Sequence, residues 1–247
     1  MYYLDFLRQL HQRLEPRRYL EIGVRLGHSM GVSRCQSVGI DPAFAIDSEL
    51  HAEVHIFRTT SDEYFSRPDP LAPVGGEPFD FAFIDGMHLF EFALRDFIYT
   101  ERHSSPSTLA LFDDMLPRTA DEAARDRHTK AWTGDIYPII PVLEKYRPEV
   151  LTIAVGTQPT GLLMVLGLDP TNTVLSDNYD AIMAEFRHPD PQPVPQVILD
   201  RTFVQSPERV LATPLLDILV EARTNPAGVT TRLRDAAAQH LGPAYAG

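Results

Sequence analysis

The chain has 247 residues, 44% of them hydrophobic, enough to fill the core of one large domain or of one domain with a substantial appendage. Its 22 Lys and Arg against 34 Asp and Glu leave a net charge of −12, which argues against a broad nucleic-acid-binding face and serves solubility. No apolar run reaches the roughly 18–20 residues that cross a bilayer, the start MYYLDFLRQLHQRLEP lacks the layout of a signal peptide, and the single Cys35 permits no internal disulfide; a cytoplasmic protein without membrane or nucleic-acid partners is therefore expected.

Apolar residues at 3, 4, 6, 7, 10 and 14 have helical spacing, and Pro16 ends that helix. RYLEIG reads as a first strand, GHSMGVSRC as a short helix after a turn, SVGID (37–41) as a second strand and VHIFRTT (54–60) as a third, with a helix starting at SDEYF. FDFAFID is the fourth strand, 89–103 a helix with apolar residues at 89, 90, 93, 94, 97 and 98, and TLALFDD (108–114) the fifth strand. Residues 117–133 read as a polar loop or lid, and GDIYPIIPVLEKYRP as a helix entered through a Pro-containing turn. EVLTIAVG (149–156) and GLLMVLGLD (161–169), joined by the tight-turn sequence QPTG, should form an antiparallel hairpin.

Strands alternating with helices predict an α/β fold: a doubly wound, mostly parallel seven-stranded sheet with a closing antiparallel hairpin, over residues 1–170. Residues 171–247 read as a linker and a helical C-terminal extension. There, SPERVLATPLLDILVEARTNP is expected to be one helix with Ser206 as N-cap, Pro207 at its first position and Pro226 beyond its end, and a last helix spans about 229–241. Its apolar stripe, Leu211, Leu215, Leu216, Ile218, Leu219 and Val220, must cover either its own domain or a second subunit, and a homo-oligomer is the expectation.

In an open α/β sheet, ligands bind at the carboxyl ends of the strands. Those ends carry Glu21, Gly23, Gly27 and Ser29 after the first strand, Asp41 after the second, Ser61 and Asp62 after the third, Asp85 and His88 after the fourth, and Asp113 and Asp114 after the fifth. Each member alone has a structural reading: Asp85 can cap the helix at 89–103, His88 can satisfy a backbone group, and Asp113-Asp114 can be a solvated turn. Acids recurring at nearly every strand end carry more weight than any one of them. Asp41 is placed to accept hydrogen bonds from both hydroxyls of a ribose, as in dinucleotide enzymes. The first loop is E-x-G-x-x-x-G, not G-x-G-x-x-G, and lacks the glycine triplet that seats a pyrophosphate; the ligand is expected to be a nucleoside without a diphosphate.

EIGVRLGHS, GIDP, FAFIDGMH and LALFDDM together resemble the motifs of class I S-adenosylmethionine-dependent methyltransferases, over about residues 17–170. IDGMH followed by the Asp-Asp pair is similar to the metal-dependent small-molecule O-methyltransferases that include sugar- and macrolide-tailoring enzymes. The resemblance implies that Glu21, Gly23 and Gly27 line the methionine part of the donor, that Ser29 touches its carboxylate, that Asp41 holds the ribose and that Ser61 and Asp62 lie at the adenine. It implies magnesium on Asp85, Asp113 and Asp114, with His88 as general base. Such enzymes often carry Glu-Asp or Asp-Asn where this chain has Asp-Asp, a change that bears on metal choice.

The chemistry suits those residues. Methyl transfer to oxygen needs a positioned, deprotonated hydroxyl; a hard cation prefers carboxylate ligands and acidifies a bound hydroxyl, and an imidazole accepts the proton near neutral pH. The acceptor expected is a hydroxyl of a small metabolite, a sugar or a phenolic natural product. Trp132, Gly134, Asp135 and Tyr137 fall where related enzymes border the acceptor, Trp132 either stacking on it or simply packing; Lys130 and Arg118 read as solvated lid charges, and Cys35 as inert core. A nicotinamide oxidoreductase, a non-catalytic binding protein on the same fold, and a nitrogen acceptor are the competing readings; the first loop and the closing hairpin count against the oxidoreductase.

Overall fold

The computed structural model describes residues 1–246. Helix α1 (Tyr3–Leu14) buries Phe6, Leu7, Leu10 and Leu14, and ends where Glu15 turns left-handed ahead of Pro16. There follow β1 (Arg18–Ile22), β2 (Gln36–Ile40), β3 (Val54–Phe57), α2 (Ser61–Phe65), β4 (Phe81–Ile84), α3 (Phe90–Arg102), β5 (Leu109–Phe112), α4 (Ile139–Tyr146), β6 (Leu151–Val155) and β7 (Leu162–Leu166). The C-terminal part holds α5 (Val174–Asp177), α6 (Tyr179–Phe186), α7 (Gln196–Asp200), α8 (Pro207–Leu211), α9 (Leu215–Ala222) and α10 (Val229–Leu241).

The seven strands form one doubly wound sheet in the order β3-β2-β1-β4-β5-β7-β6. β1 to β5 are parallel, and β7 runs antiparallel to both β5 and β6, so the closing hairpin is present as expected. Successive side chains point to opposite faces: Phe81 and Phe83 join the core under α1, α9 and α10, while Ile84 joins the core under α3 and α4. Burial on both faces explains why the strands read as continuous apolar runs. The winding reverses between β1 and β4, which opens a crevice above their carboxyl ends.

Two local expectations need correction. GHSMGVSRC forms only a single 3-10 turn, Met30–Val32, because Gly27, Gly31 and two serines give a longer helix no propensity support. The helix expected from 206 onward is two helices, α8 and α9, because Pro214 cannot continue α8; Ser206 does cap α8, its side chain accepting from the Arg209 N–H. Within 171–205 lie the three short helices α5, α6 and α7.

The C-terminal extension is built into the same core as the sheet. Leu215, Leu216, Leu219, Leu233 and Leu241 pack with Phe6, Leu10 and strand residues. Arg223 donates to the carbonyls of Leu14 (2.6 Å) and Glu15 (3.2 Å), satisfying the end of α1. The apolar stripe of α9 is thus covered largely by its own chain. Among the described residues, no helix is long and apolar enough to cross a membrane.

His11 lies buried on α1 between Tyr19 and Phe81, with ring centroids at 4.8 and 5.0 Å, and neither ring nitrogen has a partner. Burial, aided by Arg34, pushes its pKa down to about 4. Between the unfolded value of 6.5 and about 4, the unfolded chain binds the extra proton, so stability rises with pH through that window and is complete above it. The swing is ~3 kcal/mol. His11→Phe is expected to flatten it: urea midpoints at pH 7 and pH 4.5 should differ more for the wild type than for the variant. Equal differences would refute the assignment.

Candidate active site

A cleft of about 790 Å³ lies over the carboxyl ends of the strands, between β1, β2 and α2 on one side and the segment before α4 on the other. Its donor-side wall contains Gly23, Asp41, Ser61 and Asp62. Gly23 has φ 90°, and a Cβ there would stand 1.9 Å from the Asp85 carbonyl oxygen, so only glycine lets these two strand ends approach. Asp41 accepts from the backbone N–H of Arg25 (2.7 Å) and of Ala43 (2.6 Å), which fixes its carboxylate at the rim with lone pairs to spare. Ser61 and Asp62 begin α2, where Thr60 and Glu63 form a reciprocal capping box.

Several residues singled out from sequence have other partners. Glu21 is fully buried beneath the cleft, accepting from the Tyr19 hydroxyl and the Ser29 hydroxyl, both at 2.7 Å. Burial raises its pKa to about 8 despite those bonds. Glu21, Ser29 and Gly27 are not among the residues lining the cleft; the Glu21–Ser29 contact instead braces the first loop from below. Asp62 reaches the cleft but is held by Arg95 (2.9 Å) and by the Tyr99 hydroxyl (3.0 Å). The carboxylate left free at this end is Asp96 on α3, which sequence reasoning passed over. It is 2% exposed, its Oδ1 has no partner, and burial lifts its pKa to about 7, against a favourable contact from Ser61. An acid at 96, within the apolar 93–97 face of α3, was the available signal.

The opposite end is acidic. His88 Nε2 is hydrogen-bonded to Asp85 Oδ1 at 3.0 Å. Its Nδ1 lies 3.1 Å from Asp114 Oδ2, near enough to attract but not aligned for a hydrogen bond. Burial works against protonation of His88, yet the Asp85 bond and the Asp114 charge outweigh it, and its pKa is raised. Burial and the neighbouring acids raise Asp113, and burial with Asp85 raises Asp114 to about 6 against the pull of His88. Asp113 accepts from the Asp114 N–H at 2.8 Å and lines the cleft. Of the five non-glycine residues with left-handed backbone, Arg25, His88 and Asp114 all line this cleft, so backbone strain is concentrated at the site.

The segment 117–133 is tied down over these groups. Trp132 stacks on His88 with ring centroids 5.1 Å apart and planes 13° from parallel, and its indole N–H donates to the Ala124 carbonyl at 2.6 Å. A Cβ on Gly134 would sit 1.7 Å from the His88 carbonyl oxygen, so the lid backbone lies directly against the histidine. Asp135 accepts from the N–H of Phe90 at the start of α3 (3.0 Å) and pairs with Arg125, which also pairs with Glu91 at 2.6 Å. Tyr137 is buried and packs with Ala123 and Ile198; Arg118 pairs with Glu122. Lys130 lines the cleft rather than standing clear of it, as does Tyr3 from the opposite terminus, a residue that sequence order gave no reason to place here.

The residues present fit the groups that the motifs imply. A buried carboxylate with one unpartnered oxygen and a glycine-walled approach beside a rim aspartate suit a nucleoside. Crowded carboxylates suit a hard cation, although the set lying within 4.8 Å of one another is Asp85, His88 and Asp114, not Asp85, Asp113 and Asp114.

The strand order is that of a Rossmann-like methyltransferase fold. Residues 20–115 match the family model described as a methyltransferase domain. Among solved structures, the O-methyltransferase TomG from Streptomyces achromogenes is 22% identical with a TM-score of 0.48, over 68% of this chain and 80% of that one. The O-methyltransferase from Bacillus cereus is 21% identical with a TM-score of 0.48, over 66% and 80%. No curated protein matches the chain.

Proposed function

We propose that the protein is an O-methyltransferase acting on a hydroxyl of a small metabolite, a sugar or a phenolic natural product, in the cytoplasm. The observation that carries this reading is a single cleft holding a nucleoside-type wall at one end and His88, flanked by Asp85 and Asp114, at the other. Bound S-adenosylmethionine supplies an activated methyl on a sulfonium sulfur. Gly23, Asp41, Ser61 and Asp96 are the residues to hold it. A magnesium ion, when bound at Asp85 and Asp114 beside Asp113, acidifies a coordinated hydroxyl.

The chain's own contribution is positioning and proton transfer. With donor and acceptor bound, His88 would accept the hydroxyl proton on Nδ1, the ring nitrogen not hydrogen-bonded to Asp85, and the donor would supply the methyl group, its sulfur keeping the bonding electron pair. Asp85 fixes the imidazole plane and stabilises the imidazolium formed. Trp132 and Gly134 hold that ring from the lid side.

Calorimetric titration of S-adenosylhomocysteine, first with magnesium and then with chelator, tests the donor assignment. Saturable binding in either condition is the expected result. Folded, ligand-free protein that binds in neither would refute it and favour a non-catalytic role. Methyl transfer that persists undiminished in chelator would remove the metal from the scheme.

A further inference from the structure

Asp85, Asp113 and Asp114 lie at the reacting end of the cleft, and Arg127 and Lys130 of the lid line the same cleft. The six residues RDRHTK (125–130) bring together three of the chain's 22 Lys and Arg, and Lys130 is one of only two lysines. Arg125 is neutralised by Glu91 and Asp135 and serves as the anchor of the lid. Among the described residues, Arg127 and Lys130 form no ion pair, while the acids of the same segment, Asp121 and Asp126, are not among the residues lining the cleft. The Arg127 guanidinium lies 5.6 Å from the centre of the Trp132 ring, which in turn stacks on His88, and its charge favours the ionised form of Asp114. In a chain of net charge −12, two cations without an ion-pair partner in one cleft are a selective feature.

We propose that the acceptor is an anion: a hydroxylated small molecule whose carboxylate or phosphate lies against Arg127 and Lys130 while its hydroxyl reaches His88 and its body lies against Trp132. This rests on the methyl-transfer reading above and narrows it to acidic acceptors. The donor-side half has its own free cation, Arg25, beside Asp41, so the lid cations are not required for the donor's carboxylate.

The test uses matched probes on full-length protein loaded with S-adenosylhomocysteine: 3,4-dihydroxybenzoate against 3,4-dihydroxybenzamide, and glucose 6-phosphate against glucose. At least one acid should bind about tenfold tighter than its neutral partner, the scale of two partly shielded charge contacts; the pair that shows the preference tells carboxylate from phosphate. In the Arg127→Ala/Lys130→Ala variant the preference should vanish, with S-adenosylhomocysteine affinity unchanged. Equal or absent binding of both acids, or a preference that survives the double substitution, overturns the proposal. So does a matching fall in S-adenosylhomocysteine affinity, which would assign the cations to the donor. If the wild type binds no S-adenosylhomocysteine, it is the methyl-transfer reading that fails.

Discussion

Replacing His88 with Gln should slow methyl transfer by ~10²–10⁴-fold, the usual contribution of a positioned base. Glutamine keeps a hydrogen-bonding group opposite Asp85 and still packs under Trp132, so the fold and donor affinity should hold. The diagnostic is a fall in kcat with S-adenosylhomocysteine affinity unchanged. Magnesium affinity, measured in parallel, separates two roles that one imidazole cannot fill at once. Unchanged metal affinity with a lost rate supports the base; lost metal affinity would make His88 a ligand with Asp85 and Asp114, the grouping the geometry brings within 4.8 Å. A variant with full activity would end both assignments.

A chain cut after Pro170 is expected not to fold. Seven buried Leu and Val side chains of the C-terminal helices, Val210, Leu215, Leu216, Leu219, Val229, Leu233 and Leu241, share one core with α1 and the sheet. At ~1.5–3 kcal/mol for each buried side chain, the loss is of order 10 kcal/mol, comparable with the whole stability of a typical domain. The cut would also expose Phe6 and Leu10 and strip Arg223 from the end of α1. Circular dichroism and thermal unfolding of residues 1–170 provide the check; a cooperative transition near that of the full chain would show that the extension is dispensable.

Much of this architecture was legible in residue patterns, for a physical reason. Strands buried on both faces must be apolar throughout, so RYLEI, FAFI and LALF announced themselves, and the acids that follow them fell where chain reversal needs polar residues. What stayed hidden depends on distant partners. Nothing near Asp62 signals that Arg95 and Tyr99 occupy it, nor does the sequence around Glu21 reveal that it is sunk beneath the cleft. Asp96 was missed because a helix with so strong an apolar stripe hides one polar interloper. The broken helix at 206–222 was an error of weighting: Pro214 stands in plain view, and an interior proline outweighs apolar periodicity.

The start of α1 has a practical bearing. Tyr3 lines the cleft, and the neighbouring backbone is joined to the β6–β7 turn, the Gln158 N–H donating to the Met1 carbonyl at 3.0 Å and the Tyr3 N–H to the Gln158 carbonyl at 3.0 Å. Anything fused ahead of Met1 would therefore emerge beside the mouth of the active site, where a flexible affinity tag or a carrier protein would compete with incoming acceptor. Purification handles and immobilisation chemistry belong at the other terminus, beyond α10, if measured acceptor affinities are to be those of the protein itself.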